Sequence, residues 1–324
     1  MTKSFITAYK ILCFGILFLV TLGASVRVMN AGLACPDWPL CFGQIIPDYH
    51  PQVYFEFLHR ALAGVISLVS FYLNIRLLAS KTVSLKIKTI VYFIFIVLLA
   101  QIILGGLTVL MDLHAYVVLA HLSLGTSFLS LSFWIYFLLS KDSIFSKFLL
   151  QNSSLVKKIK TTQSIEKKEP LPLAIILQKK IKCIKNLSWV VLFVVGVQII
   201  LGGLVASHYA ALVCTDFPLC QGQFIPTFKG IIGLQVIHRL GAYVTVLIIG
   251  FFLFKAKPII KSSLIGYIAL CIFAQFSLGV ANVLLYTPPL LAVLHLAVGA
   301  SLFLLVFRFA FELQSLVLKK QPLQ

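Results

Sequence analysis

Charge is scarce in this chain, and negative charge is the scarcest kind. Only 9 of 324 residues are Asp or Glu, against 27 Lys and Arg; charged residues total 11% and hydrophobic ones 60%. A soluble domain of this length has no interior large enough to hide that much apolar surface, so the composition excludes one. The formal charge of +18 would suit nucleic acid if it formed a continuous patch. The lysines instead sit in short segments between apolar runs, the positive-inside pattern of a polytopic membrane protein. Membrane lipid is therefore an expected partner and nucleic acid is not. An Arg-rich transit stretch is also missing ahead of the first run, and a cell (cytoplasmic or inner) membrane is the expected location.

Eight runs are long enough to cross a hydrocarbon core, at 11–29, 53–75, 90–111, 116–139, 188–208, 233–254, 262–285 and 290–312. Lys3 and Lys10 precede the first; Lys81, Lys86 and Lys88 follow the second; Lys255, Lys257 and Lys261 follow the sixth; Lys319 and Lys320 follow the last. Loops on the other side carry little positive charge besides Lys229, so both termini are expected on the cytoplasmic side. The first run, with its basic start and Gly23-Ala24-Ser25, resembles a secretory signal. Its counterpart in the fifth run argues that it is retained.

That counterpart belongs to a repeat. Cys35-Pro36-Asp37-Trp38-Pro39-Leu40-Cys41-Phe42-Gly43-Gln44 returns as Cys214-Thr215-Asp216-Phe217-Pro218-Leu219-Cys220-Gln221-Gly222-Gln223, and His59-Arg60 returns as His238-Arg239 at the same offset. Gln101, Gly105 and His121 return as Gln275, Gly279 and His295. The expected fold is all-α: two pseudo-symmetric four-helix bundles in parallel orientation, at 1–140 and 188–324. Residues 141–187 are expected to be a basic cytoplasmic linker, with a short amphipathic stretch near 171–177 and lysines that attract anionic lipid. Odd-numbered runs share a small-residue signature, Leu22-Gly23-Ala24, Leu104-Gly105-Gly106, Leu201-Gly202-Gly203 and Leu278-Gly279. It fits either plain helix packing or close approach to a flat ligand.

Seven histidines are many for a membrane protein, where a polar side chain is expensive without a partner. His50, His114 and His208 fall at outer loops or helix ends. His59, His121, His238 and His295 each lie a few residues inside an even-numbered run, in one layer about 7–11 Å below the outer ends. Second and fourth helices of an up-down bundle are diagonal, so His59 is expected to face His121, and His238 to face His295. Opposed imidazoles, with no thiolate or carboxylate to complete a tetrahedron, suit bis-histidine haem iron better than zinc. Arg60 and Arg239 lie at the rim, suited to haem propionates or to lipid headgroups.

Glu56 lies three residues before His59 on the same helix face, and its counterpart is Gln235. A carboxyl beside a haem site and partly out of water is suited to exchange protons, whereas an amide is not. The first half is then the reacting side. A competing reading pairs Glu56 with a nearby arginine. Cys35–Cys41 and Cys214–Cys220 each close a short outer loop, where disulfides are the default and zinc a weaker alternative. Cys13, Cys183 and Cys271 are expected to be free thiols.

Gly32-Leu33-Ala34-Cys35-Pro36-Asp37-Trp38-Pro39 with Cys41, Glu56-Phe57-Leu58-His59-Arg60, His121, His238-Arg239 and His295 together resemble the haem A synthase family over all eight runs. The resemblance implies oxidation of the C8 methyl of haem O to a formyl group by successive hydroxylations, with oxygen from water, for terminal oxidase assembly. It implies that His59 and His121 take the substrate haem, that His238 and His295 hold a resident haem b, that Glu56 is catalytic and that both cysteine pairs are bridged. Its implied partners are haem O synthase, an unidentified electron acceptor and the oxidase; a homo-oligomer is compatible with it. Two other classes compete. A b-type electron-transfer cytochrome would place haems at two depths, yet the four histidines share one. A haem-handling transporter would have broken helices near the midplane, yet Pro288-Pro289 falls in an outer turn.

Overall fold

A computed structural model describes residues 2–140 and 172–318, apart from Ile225, Thr227 and Lys261. The described chain is all-helical: α1 Lys3–Val28, α2 Pro51–Ala79, α3 Leu85–Leu110, α4 Ala115–Ser140, α5 Pro172–Ser207, α6 Gly230–Ala256, α7 Ser263–Leu284 and α8 Pro289–Leu318, with one short 3-10 turn at Ala210–Leu212. Each of the eight is long and apolar enough to cross a membrane. Large side chains such as Phe18, Leu68, Phe93, Phe193, Leu247 and Phe273 project outward, which suits helices solvated by lipid.

Most of the expected linker, 141–171, lies outside the described residues. From Pro172 onward the chain is helical and runs without a break into the fifth span, so the second half of the linker and most of the stretch near 171–177 belong to α5. The reason is visible in the pattern. Proline is favoured in a first helical turn, Lys179, Lys180, Lys182 and Lys185 are good helix formers, and Ile184, Ser188, Val191 and Val195 form one buried stripe at helical spacing.

Contacts follow the duplication. In the first half α1 and α3 each touch both α2 and α4; in the second, α5 and α7 each touch both α6 and α8. The histidine-bearing even helices are therefore diagonal within each half. The halves meet along α1–α8, α4–α5 and α4–α8. At one end of this seam Arg27 reaches the Ser207 carbonyl and stands 4.3 Å over the Tyr209 ring. At the other end Trp134, Trp189, Phe307 and Phe311 stack together.

Burial is uneven along the helices. Toward the lysine-rich ends each half is filled by a tight core, with Tyr9, Ile16, Leu77, Ile94 and Leu129 in one and Ile184, Ile249, Phe252, Ile268 and Phe309 in the other. Level with the histidines the pattern changes. None of the residues 17–25, 57–65, 99–105, 115–124, 196–202, 237–244, 269–282 or 291–298 is fully buried. Each bundle is solid at one end and loosely filled around its histidines.

Candidate functional site

The histidines stand near the starts of their helices, His59 and His238 eight residues after Pro51 and Gly230, His121 and His295 six residues after Ala115 and Pro289. Each leans on a glycine of the preceding odd helix. A Cβ built on Gly23, Gly105, Gly202 or Gly279 would stand 3.0, 3.2, 3.1 and 3.1 Å from Cε1 of His59, His121, His238 and His295 respectively. The shared glycines are thus seats for imidazole rings, a use that the small-residue signature alone did not reveal. Their neighbours do other work: Gly106 receives the Trp38 indole, and Gly203 receives Leu119 and Leu122 across the seam.

Polar atoms at this level are left over. Nδ1 of His59, His121 and His295 is buried without a hydrogen-bond partner, as are Oε1 of Gln101 and Gln275. Buried polar atoms are normally satisfied, so such a cluster makes this level a candidate for another group or for water. Among the described residues no set of three or more His, Cys, Asp or Glu could hold a metal ion. Two diagonal imidazoles in a loosely filled layer fit a haem, which brings four nitrogens of its own and needs two axial ligands from the protein.

Above each histidine pair sits a disulfide loop built the same way twice. Cys35 and Cys41 are bonded with Cα atoms 4.8 Å apart, and Cys214 and Cys220 with Cα atoms 4.7 Å apart. The chain turns through left-handed conformations at Phe42-Gly43 and Gln221-Gly222, and the peptides Trp38–Pro39 and Phe217–Pro218 are cis. Asp37 accepts from the N–H groups of Phe42 (2.6 Å) and Gly43 (2.8 Å), and Asp216 from those of Gln221 (3.0 Å) and Gly222 (2.9 Å). The Gly43 and Gly222 amides, helped by their neighbours and by the Arg60 and Arg239 charges, hold these carboxyls below the usual range. Beside the first loop opens a cleft of about 660 Å³ bordered by Asn30, Ala34, Gln44, His50 and Val53.

The arginines tie loop to helix. Arg60 donates to the carbonyls of Asp37, Leu40 and Cys35, and Arg239 to those of Asp216, Leu219 and Cys214. Propionates and headgroups were the expected partners; loop carbonyls are the ones found. Buried Glu56 completes this clamp in the first half. One carboxylate oxygen pairs with Arg60 at 2.5 Å, and the other accepts the Cys35 N–H at 2.9 Å. Pairing with an arginine, the competing expectation, is therefore the arrangement present. Gln235 instead donates to the Ala211 carbonyl at 3.3 Å, while its Oε1 and the Nε of Arg239 have no partner.

The remaining expected positions fall where the runs placed them. Tyr116 packs between the rings of His114 and His208 at the seam, and His50 caps the start of α2 by position only. Cys13, Cys183 and Cys271 are free. Sequence reading missed the glutamine contacts: Gln101 lies 3.3 Å from Nε2 of His121, Gln275 3.3 Å from Nε2 of His295, and Gln198 3.1 Å from Nδ1 of His238. The recurrence of Ala-Gln before two of the glycine signatures, and of Gln198 before a third, is a visible signal in the sequence; its target is not.

Comparison with known proteins agrees with this architecture. The chain is 31% identical to a protein of Shewanella oneidensis named "Heme A synthase", covering 89% of this chain and 90% of that one. Proteins of the same name from Shouchella clausii and Halalkalibacterium halodurans are 29% and 27% identical, covering 90% and 89% of this chain and 91% and 90% of theirs. The family profile described as "Cytochrome oxidase assembly protein" matches residues 8–54 and 48–307, nearly the whole described chain. The chain belongs to that family, the COX15-CtaA cytochrome oxidase assembly proteins.

Proposed function

We propose that this multi-pass membrane protein is a haem A synthase, oxidising the C8 methyl of haem O to a formyl group. The observation that carries the reading is a twofold haem-ready frame with an acid in one copy only. Two histidine pairs sit against glycine seats, and Glu56 stands beside the first pair where Gln235 stands beside the second. Residues 1–140 form the substrate half, with His59 and His121 as axial ligands of haem O. Residues 188–324 form the resident half, where His238 and His295 would hold a haem b; 141–187 connect the two halves. A haem bound there would supply a one-electron carrier.

Each of two oxidation steps adds a hydroxyl from water to the methyl carbon and releases two protons and two electrons, and the resulting carbon with two hydroxyls loses one water to leave the formyl group. The electrons leave to an acceptor that the chemistry requires, and the protons need a base near the reacting carbon. Glu56 is that base: it lies one turn above His59, out of bulk water, and Arg60 and the Cys35 N–H fix its orientation. Arg60 and Arg239 hold the disulfide loops over the two sites, and the unpartnered Nε of Arg239 would be free to donate to a propionate. Lysines at the opposite helix ends support cytoplasmic termini and a haem layer toward the outer face of a cytoplasmic or inner membrane. Haem O synthase as supplier and a terminal oxidase as recipient follow from the reaction.

Expression with a haem O supply, followed by extraction and identification of the haems, tests this directly. Haem A is expected from the native chain. A chain that binds haem yet yields only haem O is a b-type cytochrome and not a synthase.

A further inference from the structure

The two halves pin their lipid-facing edges at different depths. They meet through α1, α4, α5 and α8, so the α2–α3 edge and the α6–α7 edge face away from the seam. In the second half three rings close that edge level with the histidines. Tyr243 of α6 lies 6.0 Å from Phe276 of α7, and Phe217 of the disulfide loop reaches both at 6.4 Å. Tyr243 stands five residues after His238, as Gly64 does after His59; Phe276 follows Gln275, as Ile102 follows Gln101. The first half thus has Gly64 and Ile102 where the second has Tyr243 and Phe276. A Cβ on Gly64 would meet nothing within 4 Å. Trp38, the counterpart of Phe217, turns instead onto Gly106, where the second half has Val280.

Nearly two turns deeper the arrangement is reversed. Phe71 and Phe95 join α2 to α3 with ring centroids 5.6 Å apart, and their counterparts are Gly250 and Ala269. Gly64 lies seven residues before Phe71 and Ile102 seven after Phe95. Because α2 and α3 run in opposite directions, Gly64 and Ile102 share one level and keep nearly the helix faces of that ring pair. The first edge is therefore pinned below the histidines and open beside them, and the second the other way about. The lower gap of the second half leads only to the packed core of Ile249, Phe252 and Ile268. The gap at Gly64 leads to the loosely filled layer around His59 and His121.

Haem O differs from haem b by a long isoprenoid tail, carried on the ring edge opposite the propionates. With propionates toward the arginine rim, that edge turns inward along α2, and Gly64 lies about 7–8 Å inward of His59. We propose that the slot between Gly64 and Ile102 is the tail port of the first site, and that Tyr243, Phe276 and Phe217 close the matching port of the second. Through the open slot the tail passes into the bilayer, whose chains are as apolar as it is. Inside either bundle it would displace a close-packed core. These residues determine specificity and take no part in the chemistry. The inference rests on the function proposed above and names, within it, what tells a tailed substrate from an untailed cofactor.

Uptake of haem O by the haem b-loaded chain, read from absorbance and from extracted haems, tests this without turnover. The native chain should take up one equivalent and keep its haem b. Gly64→Tyr combined with Ile102→Phe should weaken that uptake at least about tenfold, as overpacking does, with haem b and its low-spin spectrum retained. Tyr243→Gly combined with Phe276→Ile, incubated with excess haem O, should yield more than one equivalent of tailed haem where the native chain stays at one. Native-strength uptake by a folded Gly64→Tyr, Ile102→Phe chain overturns the proposal. Should that chain not fold, an extract from the second variant no different from the native one overturns it instead. The proposed function fails in another way: the native chain binds haem O as described and never oxidises it.

Discussion

The two halves hold their histidines, arginines and disulfide loops in the same way but treat two positions differently. Where the first has Glu56, locked between Arg60 and the Cys35 N–H, the second has Gln235 on the Ala211 carbonyl. Where the first has Leu19, the second has Gln198 against His238. Features that depend on backbone approach, such as glycine seats and arginine-to-carbonyl clamps, are kept in both copies. The differences lie in single side chains that touch an imidazole or a loop amide. On the proposed function, the duplicated frame sets where two flat ligands would sit, and side-chain chemistry would decide what each is for.

The comparison breaks most visibly at the acid. Glu56→Gln should leave both haem spectra intact and reduce haem A formation by at least about 100-fold, the scale of a lost general base; normal haem A yield from that variant, measured by haem extraction, would reassign the base. Next in size, His238→Ala and His295→Ala should each remove the low-spin signal of the second half and leave the first half able to bind haem O. A spectrum unchanged in both variants would mean that the pairing of ligands is wrong. Gly23→Ala and Gly202→Ala press equally on their imidazoles, so each should cost about 1–3 kcal/mol of haem-bound stability, as overpacking does. Thermal denaturation in detergent compares them, and a large inequality would show that the seats are not equivalent.

The smallest effect concerns the loops. All four outer cysteines should resist thiol labelling until reduced, and Asp37→Asn or Asp216→Asn should hasten that reduction modestly. A depressed carboxyl contributes its hydrogen bonds above its ordinary titration range and loses them only as pH falls through the depressed value. Reducibility should therefore stay flat from neutral to mildly acidic pH and rise in strong acid. A rise centred on the ordinary carboxylate range would remove Asp37 from the account.

Much of this was legible before any coordinates. Helix number follows from apolar run length, and the histidine layer from counting residues in from the loops, because a membrane leaves few alternatives to a straight helix. The cysteine pairs close as their spacing suggested. Partners across space were harder. Arg60 and Arg239 could be placed at the rim but not assigned to loop carbonyls, since a guanidinium suits carbonyls, carboxylates and phosphates alike. The glycine signature announced close approach without naming the imidazoles. Leu19 was invisible, because a leucine in an apolar run draws notice only when three counterparts prove to be glutamine. The start of α5 was missed because lysines masked a buried stripe that begins at Ile184.

The seam between the halves has one further implication. Gly203 lies against Leu119 and Leu122 while its neighbour Gly202 seats His238, and His121 stands between those two leucines in the chain. On the proposed function, the partition between the two haem sites is there made of hydrocarbon side chains. Such a wall insulates against protons, which need polar stepping stones and pay heavily to cross as bare charge. Protons released in the first site would then have to leave by a route other than this wall.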